Sequence, residues 1–286
     1  MRIKQGDIVH TTSVDAGGLD QTGTKVTERG NPLTGPFYVE GAEPGDVFAV
    51  TISNLSLNRN FATTLNSLIP DMLPKSTAMK TWRSAKLLRW KLDLEKMTGT
   101  PMDTSLHLQN LSVPLHPFLG CVGVASEGKP MSSGASGDYG GNMDLSYVTN
   151  GATVYLPVFH SGGLLYLGDG HAVQGDGELN GDALETSMRF SFTVRLLKRV
   201  DFPLETPMVE NADYLMFLAI ESSLNKSTRV ATMALNNWLQ NRYKLSAKQA
   251  SQVIGPTIQY KIPKIAANVS EVVVLIPKQI LKQLEN

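Results

Sequence analysis

The sequence has little cysteine, no excess of either charge and no long apolar segment. Among its 286 residues there is one cysteine, Cys121, so an internal disulfide is excluded and a reducing compartment is favoured. The formal net charge is +0, which gives no field that would favour nucleic acid or an anionic membrane as a partner. No run of about 18 apolar residues occurs, and no apolar secretory segment follows Met1. These absences predict a cytoplasmic protein that neither spans a membrane nor binds nucleic acid.

Alternating apolar residues predict a mainly β fold with an α+β C-terminal part. Its body should be a β-sandwich or be barrel-like, with the site on glycine-rich loops. We expect residues 1–200 to form this β-rich body and residues 201–286 to form a smaller α+β portion that completes the same fold. The patterns predict strands at residues 46–52, 152–158, 190–197 and 271–276, a strand and then a helix within 211–243, and a capped helix over 247–254.

The segment from residue 54 to residue 100 is less regular. Its portion 82–94 carries two tryptophans among basic residues, and this composition fits either a helix end or a long excursion loop. Tryptophan beside lysine and arginine also occurs in nucleic-acid-binding surfaces. The zero net charge and the lack of a binding motif favour a packed, solvated face instead.

Glycine is dense between residues 132 and 181, and the polar residues within that stretch can carry chemistry. Asp169 and His171 are two residues apart, as are Asp176 and Glu178, so each pair points one way if the chain is extended. Histidine nitrogen and carboxylate oxygen together suit zinc or another divalent cation. A Gly-Asp-Gly tripeptide is also typical of a turn in which the aspartate bonds its own backbone, so Asp169 and Asp176 keep this structural alternative.

Motifs of several other enzyme classes are missing from the sequence. The dinucleotide fingerprint, the phosphate-binding loop and the His-Glu-x-x-His helix do not occur. Ser136 lies in a glycine-rich stretch without the Gly-x-Ser-x-Gly pattern of a nucleophile elbow. Cys121 lies in an apolar run, which predicts a buried, inert thiol.

Three blocks of the sequence resemble the core of the acetamidase/formamidase family, in order and in spacing. They are Gly140-Gly141-Asn142-Met143-Asp144, Leu156-Pro157-Val158 and the run from Gly168 through Asp169-Gly170-His171 to Gln174 and Glu178. Asp15-Ala16 and the segments 35–46 and 117–120 resemble further family blocks, so the resemblance covers about residues 6–277.

The resemblance implies a metal-dependent hydrolase that converts a short carboxylic amide, such as formamide or acetamide, to ammonia and the acid. Zinc is the expected ion, with calcium or another divalent ion as alternatives. A divalent ion would polarise the amide carbonyl and acidify the attacking water. The family also implies a homo-oligomer.

Candidate site residues follow from side-chain chemistry and motif position. Asp15, Asp144 and His171 are the candidate metal ligands, and His171 also counts among the catalytic residues. Glu178 is the candidate general base, and Gln174 or Asn142 would orient the amide. His10 and His160 are weaker candidates for the site.

Two alternatives to short-amide hydrolysis stay open. The enzyme could hydrolyse another linear or cyclic C–N bond, with the segment 54–100 setting the size limit. The chain could also be a non-catalytic protein that binds a small molecule or a metal on the same scaffold.

Overall fold

The computed structural model describes residues 1–266 and 269–285, and most of its regular structure is strand. The first ten strands are β1 (Arg2–Ile3), β2 (Val9–Thr12), β3 (Leu33–Val39), β4 (Asp46–Leu57), β5 (Phe61–Leu65), β6 (Leu87–Asp93), β7 (Thr98–Pro101), β8 (Val113–Pro114), β9 (Phe118–Gly123) and β10 (Ser136–Gly137). They are followed by β11 (Gly140–Asn142), β12 (Thr153–Pro157), β13 (Leu165–His171), β14 (Met188–Lys198), β15 (Met208–Glu210), β16 (Tyr214–Glu221), β17 (Gln259–Lys261), β18 (Ile265–Ala266) and β19 (Val269–Pro277). The α-helices are α1 (Ala78–Arg83), α2 (Leu224–Tyr243), α3 (Ala247–Thr257) and α4 (Lys278–Leu281), and short 3₁₀ turns cover Pro70–Met72, Thr104–Leu106 and Lys282–Leu284.

The strands form three sheets. The six-stranded sheet has the order β1-β3-β13-β9-β11-β10, and the four-stranded sheet has the order β5-β6-β7-β8. The nine-stranded sheet has the order β17-β19-β16-β15-β12-β4-β14-β2, with β18 paired to β19. Strands from before and after residue 200 therefore share the largest sheet.

The main core lies between the six-stranded and nine-stranded sheets. Phe37 of β3 packs edge-on against Phe192 of β14, with ring centroids 5.0 Å apart. Val50 of β4 and Leu167 of β13 are fully buried in the same cluster. Apolar side chains from two facing sheets exclude water in this way in β-sandwiches. The predicted mainly β, sandwich-like fold is confirmed.

The nine-stranded sheet is buried on its other face as well. Val47 and Ala49 of β4 pack there with Ala231 and Leu235 of α2, while Phe48 faces the sandwich core. This arrangement confirms the strand predicted at residues 46–52, and both of its faces are buried. It also places the C-terminal helices over the sheet, as the α+β prediction requires.

The helix predictions hold with small changes. The Ser246–Gln249 capping box is present at the start of α3, and the helix continues to Thr257, three residues beyond the predicted end. Within the described residues, no helix is both long enough and apolar enough to cross a membrane.

The segment 82–94 corrects the sequence interpretation. Helix α1 ends at Arg83, but Leu87–Asp93 is strand β6 in place of a loop. Trp90 and Leu92 pack inward in a third apolar cluster, and the basic residues Arg89 and Lys91, which alternate with them along the strand, are exposed. This alternation is typical of a strand with one solvent-exposed face. The exposed charged residues make the strand pattern hard to recognise in the sequence.

Candidate functional site

The candidate site lies where three neighbouring strands of the six-stranded sheet end. Asp169 and His171 belong to β13, and Asp144 follows β11 by two residues. Strand β9 runs between β13 and β11, so side chains from both can meet above it. The predicted convergence of Asp169 and His171 is confirmed, since Asp169 Oδ1 lies 3.3 Å from His171 Nε2.

The β9 residue beneath these side chains is Gly120. A Cβ atom at this position would lie 2.7 Å from Asp144 Oδ1, 2.8 Å from Asp169 Oδ2 and 2.8 Å from His171 Cε1. Non-bonded heavy atoms do not approach so closely, so glycine is required here to make room for the three side chains.

Gln174 determines the tautomer of the neutral His171 ring. The Gln174 amide nitrogen donates to the carbonyl oxygens of Asp144 (3.1 Å) and Pro263 (2.9 Å), which turns its oxygen toward the ring. That oxygen lies 2.9 Å from His171 Nδ1 and can only accept, so Nδ1 carries the hydrogen. In the neutral ring the Nε2 lone pair is then available to a ligand.

Carboxylates surround His171 Nε2. Glu185 Oε1 lies at 3.2 Å, Asp169 Oδ1 at 3.3 Å and Asp144 Oδ1 at 3.9 Å. Asp144, His171 and Glu178 form one compact group that could hold a metal ion, and Asp169, His171 and Glu185 form another. Because His171 belongs to both groups, we treat them as one locus for a single ion.

Lys264 lies on the other side of Asp144. Its Nζ donates to Asp144 Oδ2 at 2.5 Å and lies 3.5 Å from Glu178 Oε2. The Glu271 backbone N–H donates to the Lys264 carbonyl at 3.0 Å and so anchors this segment to β19. Glu271 itself is fully buried, and Ser136 Oγ donates to its Oε1.

The backbone at the site adopts a conformation that few residues adopt. In the described residues nine non-glycine residues have positive φ, and four of them are Asn31 (55°), Asp144 (46°), Asp169 (60°) and Glu178 (48°). Such a left-handed backbone costs free energy for most L-residues and is tolerated best by asparagine and aspartate. Its concentration here indicates that the fold holds these side chains in place for a purpose other than stability.

The pKa shifts of the buried groups at the site favour the binding of a cation. Burial would lower the pKa of His171, but the Glu185 and Asp169 carboxylates outweigh this effect and raise it well above its usual value. Burial raises the pKa of Glu185 to about 7 and also raises the pKa of Asp144, which Lys264 opposes. Burial and the nearby Asp144 raise the pKa of Glu178 well above its usual value. Carboxylates that hold protons in this way ionise more readily when a cation is bound among them.

A divalent ion fits these residues. In the described part of the chain, Asp144 Oδ1, His171 Nε2 and Glu185 Oε2 are buried and have no hydrogen-bond partner. Asp144 Oδ1 lies 3.9 Å from Nε2, and the other oxygen of Glu185, Oε1, lies 3.2 Å from Nε2 and accepts from the Ala183 N–H. Four tetrahedral ligands about 2.0–2.1 Å from zinc lie about 3.3–3.4 Å from each other. The distances of 3.2 Å and 3.3 Å from Nε2 to Glu185 and Asp169 match this spacing. Nitrogen with several carboxylate oxygens is a donor set that suits zinc and similar ions.

Asp15 does not join this group. Its Oδ1 accepts from the backbone N–H groups of Gly17 (2.9 Å) and Leu19 (2.8 Å), and its Oδ2 accepts from Arg59 at 2.5 Å. Oδ1 therefore fixes the loop, and Oδ2 takes part in a buried ion pair. Asp15 lies outside both groups that could hold a metal.

Asn142 and Asn31 connect the carboxylates. Asn142 donates to Asp144 Oδ2 at 3.0 Å, and Asn31 donates to Asn142 Oδ1 (2.6 Å) and to Asp169 Oδ2 (3.0 Å). Asn142 thus positions Asp144. The Oδ1 atom of Asn31 is buried and, within the described residues, has no hydrogen-bond partner.

A cleft of about 300 Å³ opens onto the site, and we call it the polar cleft. Its lining includes Arg29, Asn31, Asp169, Glu178, Glu185 and Lys264. Arg29 pairs with Asp182 at 3.0 Å on this wall. A small polar molecule can therefore reach the carboxylates from solvent.

Several other predicted residues lie elsewhere. Asp176 does not point with Glu178, because Gly177 (φ 89°) and Glu178 (φ 48°) turn the chain between them, and Asp176 is exposed and lies 3.5 Å from Lys261. His10 is exposed on β2 and bonds Ser191 Oγ. His160 bonds the Ser126 carbonyl and lines a separate cleft. Cys121 is buried as predicted, and burial raises the pKa of its thiol.

Sequence reasoning missed Glu185 and Lys264 and left Asp169 open. Glu185 follows Ala183-Leu184, and a charged residue beside a buried apolar pair is a weak signal that could have identified it. Lys264 gives no local signal, because its contact with Asp144 spans 120 residues.

Known proteins resemble this chain in sequence and in fold. A formamidase of Methylophilus methylotrophus is 27% identical over 209 residues, which cover 58% of this chain and 51% of that protein. The acetamidase of Bacillus halodurans has a TM-score of 0.83 at 25% identity, over 100% of this chain and 93% of that one. The acetamidase of Yersinia enterocolitica has a TM-score of 0.80 at 26% identity, over 98% of this chain and 86% of that one.

The lengths of these matches differ. The chain spans about half the length of the curated relatives that it matches, but most of the length of the solved acetamidases. The sequence profile of the acetamidase/formamidase family matches residues 131–282, which include β10 to β19 and every proposed ligand described above except Asp15. The chain belongs to the acetamidase/formamidase family.

Proposed function

We propose that this protein is a metal-dependent amidase that hydrolyses linear carboxylic amides, with formamide and acetamide as the simplest substrates, to ammonia and the acid. The observation that carries the proposal is that carboxylate oxygens of Glu185, Asp169 and Asp144 lie 3.2, 3.3 and 3.9 Å from His171 Nε2, above a glycine that leaves room for them. Within the described residues, Nε2 and Asp144 Oδ1 have no hydrogen-bond partner. Family membership supports amide hydrolysis as the reaction.

His171, Asp169 and Glu185 would hold the ion, with Asp144 Oδ1 as a fourth ligand. When bound, a divalent ion supplies a Lewis acid for the carbonyl oxygen and lowers the pKa of water in the site. Gln174 keeps Nδ1 of His171 protonated and Nε2 directed at the ion. Asn142 and Lys264 hold Asp144 by its other oxygen, so that Oδ1 stays directed at the site.

Glu178 is the proposed general base. Its carboxylate lines the polar cleft within 3.5 Å of Lys264 Nζ, so it can take a proton from water and return it to the leaving nitrogen. Lys264 opposes the rise in the pKa of Glu178, and a cation bound beside it would lower that pKa further, so that the carboxylate can act as a base. Asn31 Oδ1 is an unused acceptor on the cleft wall and can orient the amide by accepting from its N–H.

The test is ammonia release from formamide, acetamide and propionamide, together with formation of the ring-opened amino acid from a small lactam. Each is assayed before divalent metal is stripped, after stripping, and after zinc, calcium or manganese is added back. We expect release that is lost on stripping and restored by an ion, zinc first. Turnover of the lactam alone would move the proposal to cyclic amides. The absence of both ammonia from the linear amides and ring opening of the lactam, with the ion bound, would rule out hydrolysis of these short amides.

A further inference from the structure

A second cleft is lined by the candidate base Glu178 but not by Lys264. We infer that this cleft binds the acyl substituent of the substrate, and that the preferred amides carry an apolar chain or ring of about six carbons. The inference rests on the proposed amidase function and concerns the substrate class of the same site.

The walls of this cleft are mostly apolar, and we call it the apolar cleft. Its volume is about 340 Å³, and its apolar lining consists of Trp90, Val113, Val173, Leu179, Ala183 and Leu184. A water molecule takes about 30 Å³ of liquid, so the space equals that of roughly ten waters and exceeds what the methyl group of acetamide can fill. Pockets lined in this way bind apolar groups of ligands.

The apolar cleft adjoins the reacting centre. Glu178 and Asp182 line both it and the polar cleft, and Gln174, which bonds His171, lines it too. An amide whose carbonyl faces His171 and whose nitrogen lies near Asn31 can therefore extend its acyl group past Glu178 into the apolar cleft.

Part of the apolar wall comes from the four-stranded sheet. Trp90 lies on β6 and Val113 on β8, and both pack against the buried cluster of Ala62, Leu92, Leu115, Ala172 and Leu184. The same sheet is joined to the site loop, because Thr63 and Glu185 exchange two backbone hydrogen bonds of 3.0 Å and 2.8 Å. A rigid wall fixed to a proposed ligand segment is suited to select substrates by size.

The expected effect is a preference for long acyl groups. Burial of one methylene from water strengthens binding roughly fourfold, so four added carbons can exceed a hundredfold when fully buried. Since the apolar cleft is open to solvent on one side, we expect kcat/KM for hexanamide and benzamide to exceed that for acetamide at least about tenfold.

The experiment measures kcat/KM for acetamide, butyramide, hexanamide and benzamide with the zinc-loaded full chain. Trp90→Ala should reduce the ratio of kcat/KM for hexanamide to that for acetamide about tenfold, because it removes the largest apolar side chain that lines the cleft. Val113→Phe, at a half-buried position on an edge strand, should reduce the same ratio by filling the space. Leu87→Ala is the matched control for Trp90→Ala. Leu87 also lies on β6, but it is 46% exposed and does not line the apolar cleft.

A binding measurement separates this inference from the proposed function. Hexanoate and acetate are titrated calorimetrically into the zinc-loaded protein, and hexanoate should bind at least about tenfold tighter, an advantage that Trp90→Ala removes. Hydrolysis of all four amides with acetamide preferred would overturn the inference and leave the proposed function intact. If no amide is hydrolysed, the proposed function fails, and equal binding of the two acids would then overturn the inference as well.

Discussion

Gln174 illustrates how a residue next to a candidate ligand controls it. Its side chain satisfies two backbone carbonyls and one ring nitrogen, and none of its polar atoms is left for substrate. We therefore assign Gln174 a positioning role in place of the substrate-orienting role expected from the sequence.

Gln174→Met tests this positioning role. Methionine fills a similar volume, but its sulfur is only a weak acceptor for His171 Nδ1 and it cannot donate to the two carbonyls, so the tautomer and the ring orientation are no longer fixed. We expect zinc affinity, measured by competition with a chelator, to fall about 10- to 100-fold. Gln252→Met, at an exposed position of α3, is the control. Unchanged affinity in Gln174→Met would show that Gln174 does not position the ring.

Glu178→Gln tests the candidate base. The change keeps the shape of the side chain and removes its ability to take a proton. We expect kcat to fall about 10²- to 10⁴-fold, with zinc content by elemental analysis unchanged. Loss of zinc would make Glu178 a ligand, and near-normal turnover would assign the base to another group. Asp176→Asn, two residues away and exposed, is the control.

Glu271 gives the fold a pH dependence that can be measured. Burial raises its pKa to about 8, although the nearby Lys264 opposes the shift. The unfolded chain ionises this group near its usual value of 4.5, so folding is opposed increasingly as pH rises from about 4.5 to about 8.

Glu271→Gln should remove that dependence. We expect the variant to gain stability relative to the wild type as pH rises through this window, by up to about 1.4 kcal/mol per pH unit. Urea unfolding at pH 5 and pH 8 gives the difference, and Glu127→Gln on an exposed loop is the control. A difference that stays constant between the two pH values would contradict the raised pKa.

At the scale of elements, β9 determines whether the site can exist. Its neighbour β11 leads to Asp144, and its other neighbour, β13, contains Asp169 and His171. Gly120 of β9 leaves room for these three side chains to lie over the strand. Close approach of side chains to a backbone is thus part of the site.

Gly120→Ala should disrupt the site without removing any polar group. The added methyl group would lie under 3.0 Å from atoms of all three side chains, so they must move apart. We expect at least about tenfold weaker zinc binding and a parallel loss of turnover. Gly255→Ala in α3 meets no atom within 4 Å, so it should keep zinc and be more stable by about 0.5–1 kcal/mol. Full zinc affinity in Gly120→Ala would refute the argument.

The elements also show what sequence can predict. Strand β4 was predictable because its residues are apolar on both faces, and α3 because Ser246 and Gln249 form a local capping pair. Strand β6 was not, because exposed Arg89 and Lys91 interrupt its apolar side chains. Asp144, His171 and Glu178 were predictable from motif position. The contacts of Glu185 and Lys264 with them depend on chain segments brought together by the whole fold.

At the scale of the molecule, the site draws on distant parts of the chain. Asp144, the β13 pair, Glu185 and Lys264 meet although they are up to 120 residues apart. The formal net charge of +0 conceals this local concentration of carboxylates. An ion bound among them interacts with the folded chain and has no comparable site in the unfolded chain, so binding and folding are coupled.

Metal should therefore stabilise the entire protein. At a free zinc concentration of about 100 times Kd, linkage gives about 2.7 kcal/mol, which raises Tm by roughly 5–10 °C for a chain of this size. Calorimetry of the stripped and the reloaded protein measures the shift. His171→Asn should abolish most of it, because the variant lacks the nitrogen at the centre of both carboxylate groups. A wild-type Tm that does not respond to zinc, calcium or manganese would mean that these carboxylates are balanced by protons on His171 and Glu185 instead of by a metal ion.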